Sequence, residues 1–415
     1  MTAENNRNGQ PANSAPAKRA LVYYRSFDST FGGGEYLPLS FVAELQKHCR
    51  VTFALDWESD VEGYAKTVGV DLDVSKLEIV FIKPKSRLAQ RLDAILPFYR
   101  TRQLKKLAKK ADIRISTINM FDFGKPAHHF VFLLRNFGDN AFFDYCTHKP
   151  PPSGAAKFKR KFVTFVGERI LRRLLGIRST RRILADMREH IYPNSNYAER
   201  TMRGFYGNFN SEVFYPPTIF EPDSGAERDP LKVICLGRIH AEKRIDDIID
   251  IVEKAREISG RDLTLHIAGG LDESEYANHL RERIAEKPWA SLRGQVIGEE
   301  KAAFLRSGTY AVHAMPNETF GISVTEYLKA GCIPVVPEEG GACEIVDSPE
   351  LTFRTNEEAA RILARLLDDA EFREERRRHC AERAGFFSRE AYLERQRRLL
   401  ERIVSGADAN RGGGA

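Results

Sequence analysis

Short apolar runs alternate along this chain with longer stretches in which apolar residues recur at helical spacing. In the first half such runs predict strands at 20–24, 51–55, 77–82, 113–117 and 141–145. Between the first two, Phe31-Gly32-Gly33-Gly34-Glu35 precedes a helical pattern with Leu39, Val42, Ala43 and Leu45 on one face. Pro216-Pro217 opens a polar stretch through Pro230 that reads as a linker. Beyond it the alternation is cleaner. Strands are expected at 231–236, 263–268, 296–297, 310–314 and 333–336. A helix is expected on Ile245, Ile248, Ile249 and Val252, another at 300–306, and a third from Gly321. Strands and helices in this rhythm predict α/β units, each a parallel sheet covered on both faces. Two units joined by a linker leave a cleft, and open α/β sheets bind ligands at the carboxyl ends of their strands. No internal repeat is evident.

Length and composition narrow the class. The 415 residues suit two domains, and 42% apolar with 29% charged residues describes an ordinary globular chain. No run approaches the ~18 apolar residues of a membrane-spanning helix. Residues 1–18, rich in Asn, Ala and Pro, read as a disordered tail rather than a signal peptide, and the Gly-rich residues 406–415 as a second tail. The six cysteines are scattered without a C-x-x-C pair, which points to reduced thiols and gives no zinc spacing.

Charge is unevenly distributed. Residues 1–220 carry 35 Lys and Arg against 21 Asp and Glu, while the remainder is acidic at 29 against 37. Two blocks hold much of the surplus, 83–110 with ten basic residues and 157–188 with eleven. Both look helical, and Phe158, Phe162, Phe165 and Ile170 interleave with the second. Solvated helix faces, an anionic membrane surface or nucleic acid would each account for them. No nucleic-acid motif accompanies the charge, so nucleic acid is the weakest of the three.

The richest chemistry lies in His313-Ala-Met-Pro-Asn-Glu-Thr-Phe-Gly-Ile-Ser-Val-Thr-Glu326. A strand should end near His313, a loop should carry Glu318, and a helix from Gly321 should place Glu326 in its second turn. The amides of Gly321, Ile322 and Ser323 would then form a phosphate site at a helix N-terminus. Glycine there admits close approach of a ligand. A solvated loop charge at Glu318 and a surface Glu326 are the plainer alternative.

Several further segments stand in order with that one. Gly237-Arg238 precedes Glu242-Lys243-Arg244, Gly298-Glu299 precedes a helix, and Gly340-Gly341 precedes Glu344-Ile345-Val346. Together with Gly32-Gly33-Gly34-Glu35 they resemble the marks of retaining family-4 glycosyltransferases, including their E-x7-E signature at Glu318 and Glu326. The resemblance spans 20 to about 347 and is most specific in the second half. It implies a GT-B fold, two Rossmann-like domains facing each other across a cleft. Residues 19–217 would bind acceptor and 218–385 the nucleotide sugar, with 386–405 crossing back as a helix.

The same resemblance assigns Arg238 and Lys243 to the donor diphosphate, Glu326 to the ribose and Glu318 to the donor sugar. Gly33, Gly34, Gly298, Phe320, Gly321, Ile322 and Ser323 complete the donor site. Fixed cations would take the place of a metal, so neither metal nor cofactor is expected. Asp71-Leu72-Asp73 has D-x-D spacing but lies in the wrong half. No side chain identifies itself as a covalent nucleophile, so front-face departure and attack are expected.

In the first half, residues 141–150 look like the family's apolar strand ending in a histidine before a Pro-containing loop. This carries the sugar-side histidine role to His148, with His128 and His129 as rivals. Tyr192-Pro193-Asn194-Ser195-Asn196-Tyr197 and Val213-Phe214-Tyr215-Pro216-Pro217 resemble mannosyltransferases that extend lipid-linked oligosaccharides at the cytoplasmic membrane face. GDP-mannose is therefore the expected donor and a glycan or lipid-linked molecule the acceptor. The protein is expected in the cytoplasm, peripheral at the inner membrane face. UDP-sugars are the alternative donors. An inactive sugar-nucleotide-binding protein is a reading from another class. A nicotinamide oxidoreductase lacks its G-x-G-x-x-G after a strand.

Overall fold

The computed structural model describes residues 18–27, 33–83, 98–132, 134, 140–147, 172–220, 228–271 and 274–407. The first half contributes β1 (Arg19–Tyr24), β2 (Arg50–Leu55), β3 (Leu77–Phe81), β4 (Ile113–Ser116), β5 (His128–Val131) and β6 (His190–Pro193). The second contributes β7 (Asp229–Leu236), β8 (Thr264–Ala268), β9 (Ala290–Arg293), β10 (Gly308–Val312), β11 (Ile333–Pro337) and β12 (Thr352–Phe353). They form two parallel six-stranded sheets, ordered β3-β2-β1-β4-β5-β6 and β12-β11-β10-β7-β8-β9. Counted from its own first strand, each sheet follows the doubly wound Rossmann order. Central strands are buried from both faces. β1 buries its last five residues and β11 all five, as parallel sheets between helices require.

The helices that matter for the site are α1 (Gly33–Leu45), α2 (Asn140–Thr147), α3 (Asn196–Tyr206), α4 (Ile245–Ser259), α5 (Gly298–Ser307), α6 (Ile322–Lys329), α7 (Ala342–Val346) and α8 (Arg389–Ser405). α4 turns Ile245, Ile248, Ile249, Ile251, Val252 and Ala255 into the second core. The last helix, α8, belongs to the first core. Tyr392, Leu399, Leu400 and Ile403 pack with Leu37, Phe41 and Phe214, and Gln396 Nε2 donates to Ser40 O at 2.8 Å.

Three expectations are corrected. Residues 141–145 are helical, not a strand. Phe142 and Cys146, four apart, are buried against Ala198, Met202 and Phe209. Phe143 and Tyr145, which a strand would set on one face, are 37% and 44% exposed. A short, mostly apolar run fits either period, and packing against α3 selects the helix. The strand expected at 296–297 lies instead at Ala290–Arg293, in register with β8. Val296 is buried beyond the last pair, and Ile297, 69% exposed, precedes α5 as its N-cap. Strands β5 and β6 were not foreseen: each has four residues and opens on histidine.

Within the basic blocks the described helices are Phe98–Ala108, Arg172–Leu174 and Thr180–Leu184, while Lys83, Lys109, Lys110, Arg178 and Arg188 lie outside them. Phe158, Phe162, Phe165 and Ile170, most of the two tails and part of the linker lie outside the described residues. No helix among the described residues is long and apolar enough to cross a membrane.

Candidate active site

The switch points of both sheets, β1/β4 and β7/β10, open on one cavity of about 590 Å³ between the halves. From the second half it gathers Arg238, Lys243, Glu318, Phe320, Gly321, Ile322, Ser323 and Glu326, which come from two segments of the sequence. Each arrives at a strand's carboxyl end.

β7 ends at Leu236, whose N–H donates to Tyr327 Oη at 2.5 Å. The chain then passes through Gly237 and Arg238, where Gly237 N donates to Ala268 O and Ile239 N to Gly270 O, both at 3.0 Å. These bonds tie the β7 and β8 loops together. A Cβ at Gly269 would stand 1.8 Å from Gly237 O, so only glycine permits that approach. A 3₁₀ turn at Ala241–Lys243 then brings the Lys243 ammonium into an ion pair with Glu318.

Glu318 lies in the loop after β10. His313, at the start of that loop, is buried, with Nε2 3.8 Å from Glu318 Oε2. Burial lowers its pKa to about 4 against the opposing pull of Glu318, with Lys243 adding to the drop, so the ring is neutral at pH 7. Gly321 caps α6 at φ 104 and supplies no side-chain cap. The first amide donors of α6 therefore face the cavity. Glu326, one turn further, is buried and its Oε1 lies 2.6 Å from Lys301 Nζ. Burial raises its carboxyl pKa while Lys301 opposes the rise, so the ion pair holds a charge that water no longer solvates.

Lys301 was missed by the sequence reading. Nothing local marks it, because its partner is 25 residues away in another helix. Gln295 and Val296 join it at the same end of the cavity, and Tyr24, Glu35, Thr117, Ile118, Phe132 and Asn194 close the opposite wall. Gly33 and Gly34 open α1 just before Glu35. Gly298 does not line the cavity. It begins α5 at φ 53, three residues before Lys301.

The histidine candidates divide. His129 is buried at the amino end of β5, 2.9 Å from Glu189, and His128 stacks on His190 at 4.8 Å. β5 starts level with the last residues of β1 and β4, yet neither histidine lines the cavity. His148 lies outside the described residues. Cys146, two positions earlier, lines a smaller chamber of about 270 Å³ that shares Arg238, Lys243, Glu318 and Thr319 with the main cavity. Asp73 of the D-x-D match caps a short helix and pairs with Lys76.

Two doubly wound units facing one cavity, with cations, carboxylates and an uncapped helix N-terminus converging from the second, define the GT-B class of glycosyltransferases. Residues 218–385 match the family model Glycosyl transferases group 1 and are a domain of that family. The chain is 25% identical over 166 residues to the GDP-Man:Man(3)GlcNAc(2)-PP-Dol alpha-1,2-mannosyltransferase of Caenorhabditis elegans. That match covers 36% of this chain and 35% of the relative, about a third of the relative's length. Sucrose-phosphate synthase from Thermosynechococcus elongatus superposes with TM-score 0.63 at 14% identity, over 94% of this chain and all of that one. Anabaena HepE, in complex with UDP and glucose, gives 0.61 at 13% over the same shares. These structural likenesses establish the fold.

Proposed function

We propose that this chain is a retaining, metal-independent glycosyltransferase that transfers mannose from GDP-mannose to a glycan or lipid-linked acceptor. The supporting observation is the gathering of Arg238, Lys243, Glu318, Gly321–Ser323 and Glu326 around one cavity between two Rossmann-like units. Residues 19–217 present the acceptor and 218–385 hold the donor, with 386–405 joining the last helix to the first unit. The sugar C1–O bond breaks as the acceptor oxygen bonds C1 from the same face. The acceptor proton passes to the departing phosphate oxygen. Arg238, Lys243 and the amides of α6 stabilise the charge that develops on the diphosphate. Glu326 receives the ribose hydroxyls and Glu318 the sugar hydroxyls, and the family resemblance gives His148 the sugar-side role.

The donor base rests on the mannosyltransferase likeness. A UDP-sugar is the second reading, favoured by the UDP and glucose bound in HepE. A thermal-shift panel of nucleoside diphosphates and sugar nucleotides tests both, because a ligand bound by the native state raises its melting temperature. GDP and GDP-mannose are expected to give the largest shifts. Dominant shifts with UDP-sugars would reassign the donor, and no shift with any would overturn the donor site.

Transfer is expected to survive EDTA, since protein cations do the work of a metal. Activity abolished by chelation and restored by Mg²⁺ or Mn²⁺ would refute this.

The acceptor reading carries a membrane expectation, with the protein peripheral at the cytoplasmic face. Leu174, Leu175 and Met187 are exposed beside Arg172, Arg173, Arg181, Arg182 and Arg188. Each cation near an anionic surface adds ~1 kcal/mol. Co-sedimentation with anionic liposomes is expected, declining steeply with salt. Equal sedimentation with neutral and anionic vesicles, or none with either, would return these blocks to solvated helix faces.

A further inference from the structure

The loop that carries Glu318 is held by residues of the first unit as well as by its own. Ser195, Asn196 and Tyr197, where β6 passes into α3, make three separate contacts across the cleft. Ser195 Oγ donates to Thr319 O and also accepts the Ala198 N–H that caps α3 at 2.9 Å. Tyr197 Oη donates to Asn317 Oδ1 at 3.1 Å. Glu344, on α7 of the second unit, places its carboxylate on the amino end of α3. It accepts the backbone N–H groups of Asn196 at 2.9 Å and Tyr197 at 2.5 Å. It also accepts Asn196 Nδ2 at 3.0 Å and Tyr215 Oη at 3.2 Å.

The opposite side of the loop is equally constrained. Gly341 N donates to Glu318 O at 2.6 Å. A Cβ at Gly341 would stand 2.3 Å from Thr319 O, and one at Gly340 would stand 2.5 Å from Pro316 O. Residues 316–319 thus lie between α3 and the Gly340-Gly341 turn, and that turn leads directly to Glu344. Asn194, adjacent to Ser195, lines the main cavity.

We infer that Ser195, Asn196 and Tyr197 with Glu344 form a clamp that makes closure of the cleft and placement of Glu318 a single event. The inference rests on the glycosyltransferase reading and adds positioning residues to it. A carboxylate at a helix N-terminus, satisfied by two amides and two side chains and only 11% exposed, is a strong charge-assisted contact. Any rotation that opens the cleft must break it together with the Ser195 and Tyr197 bonds. The loop then loses its restraint on one side, while the diphosphate groups Arg238, Lys243 and α6 remain together within the second unit. Burial together with the neighbouring Glu344 pushes the Tyr215 phenol up to about 12, so it remains a donor at neutral pH.

The test compares Glu344→Ala and Glu344→Gln with the wild-type chain. Glu344→Ala is expected to bind nucleoside diphosphate, by calorimetry, as the wild type does, while turnover falls about 10²-fold from a misplaced Glu318. Glu344→Gln, which keeps an acceptor oxygen but loses the charge, should lie between the two. Small-angle scattering with nucleoside diphosphate bound should find the wild type closed and Glu344→Ala more extended. Should Glu344→Ala not fold, Ser195→Ala combined with Tyr197→Phe loosens the same loop from the other unit and is expected to give the same split. Wild-type turnover in the variants, or diphosphate affinity lost in proportion to turnover, would overturn the clamp. A wild-type chain that turns over no sugar nucleotide would instead count against the proposed function, and scattering would still judge the clamp.

Discussion

Lys243→Ala is expected to cut sugar transfer ~10²–10³-fold and to weaken binding of the free nucleoside diphosphate, because it removes a fixed cation from developing phosphate charge. The same ammonium pairs with Glu318. The variant therefore also removes the ammonium that pairs with a largely buried carboxylate. Glu318→Gln separates these effects. It frees Lys243 for the diphosphate, so affinity should hold or rise while turnover falls. His148→Ala, on the sugar side, should leave diphosphate affinity nearly unchanged and lower turnover. Calorimetry with the diphosphate, together with donor hydrolysis rates, distinguishes the three. Equal loss of diphosphate affinity in Lys243→Ala and His148→Ala would remove His148 from the sugar side. Undiminished affinity in Lys243→Ala would remove Lys243 from the diphosphate.

Gly269→Ala should abolish donor binding and lower the melting temperature by several degrees. Its methyl group would meet Gly237 O at 1.8 Å and the Arg238 backbone at 3.5 Å. Backbone cannot step aside as a flexible side chain can, so the β7 and β8 loops must separate and carry Arg238 with them. Overpacking of this kind costs about 1–3 kcal/mol, and each kcal/mol is worth roughly 2–4 °C in a domain of this size. Gly237→Ala is the internal control. An added methyl there meets nothing within 4 Å, so stability should be nearly unchanged. Calorimetric melting of both variants, with and without nucleoside diphosphate, is the measurement. A Gly269→Ala protein that melts and binds like the wild type would show that the two loops are not coupled.

What the sequence determined by itself was mostly local. Strand and helix periods specified the second unit closely, because its central strands are continuous apolar runs and α4 carries a regular apolar face. Gly321 before an apolar helix announced an open N-terminus, and Glu318 and Glu326 straddle it within one loop and one turn. Arg238 and Lys243 were picked out by the family resemblance, and a single strand-to-helix turn holds both. Tertiary structure decided whatever depended on a partner distant in the chain. Residues 141–145 are apolar enough for either period, and only the surface of α3 makes a helix the better burial. β5 and β6 are too short and too polar at their starts to stand out, and they become strands because neighbours complete their hydrogen bonds. Lys301 gains meaning from Glu326 on another helix, and Glu344 from the amino end of α3 across the cleft. Charge compensation and helix capping are satisfied in space, and no spacing along the chain records which unit will supply the other partner.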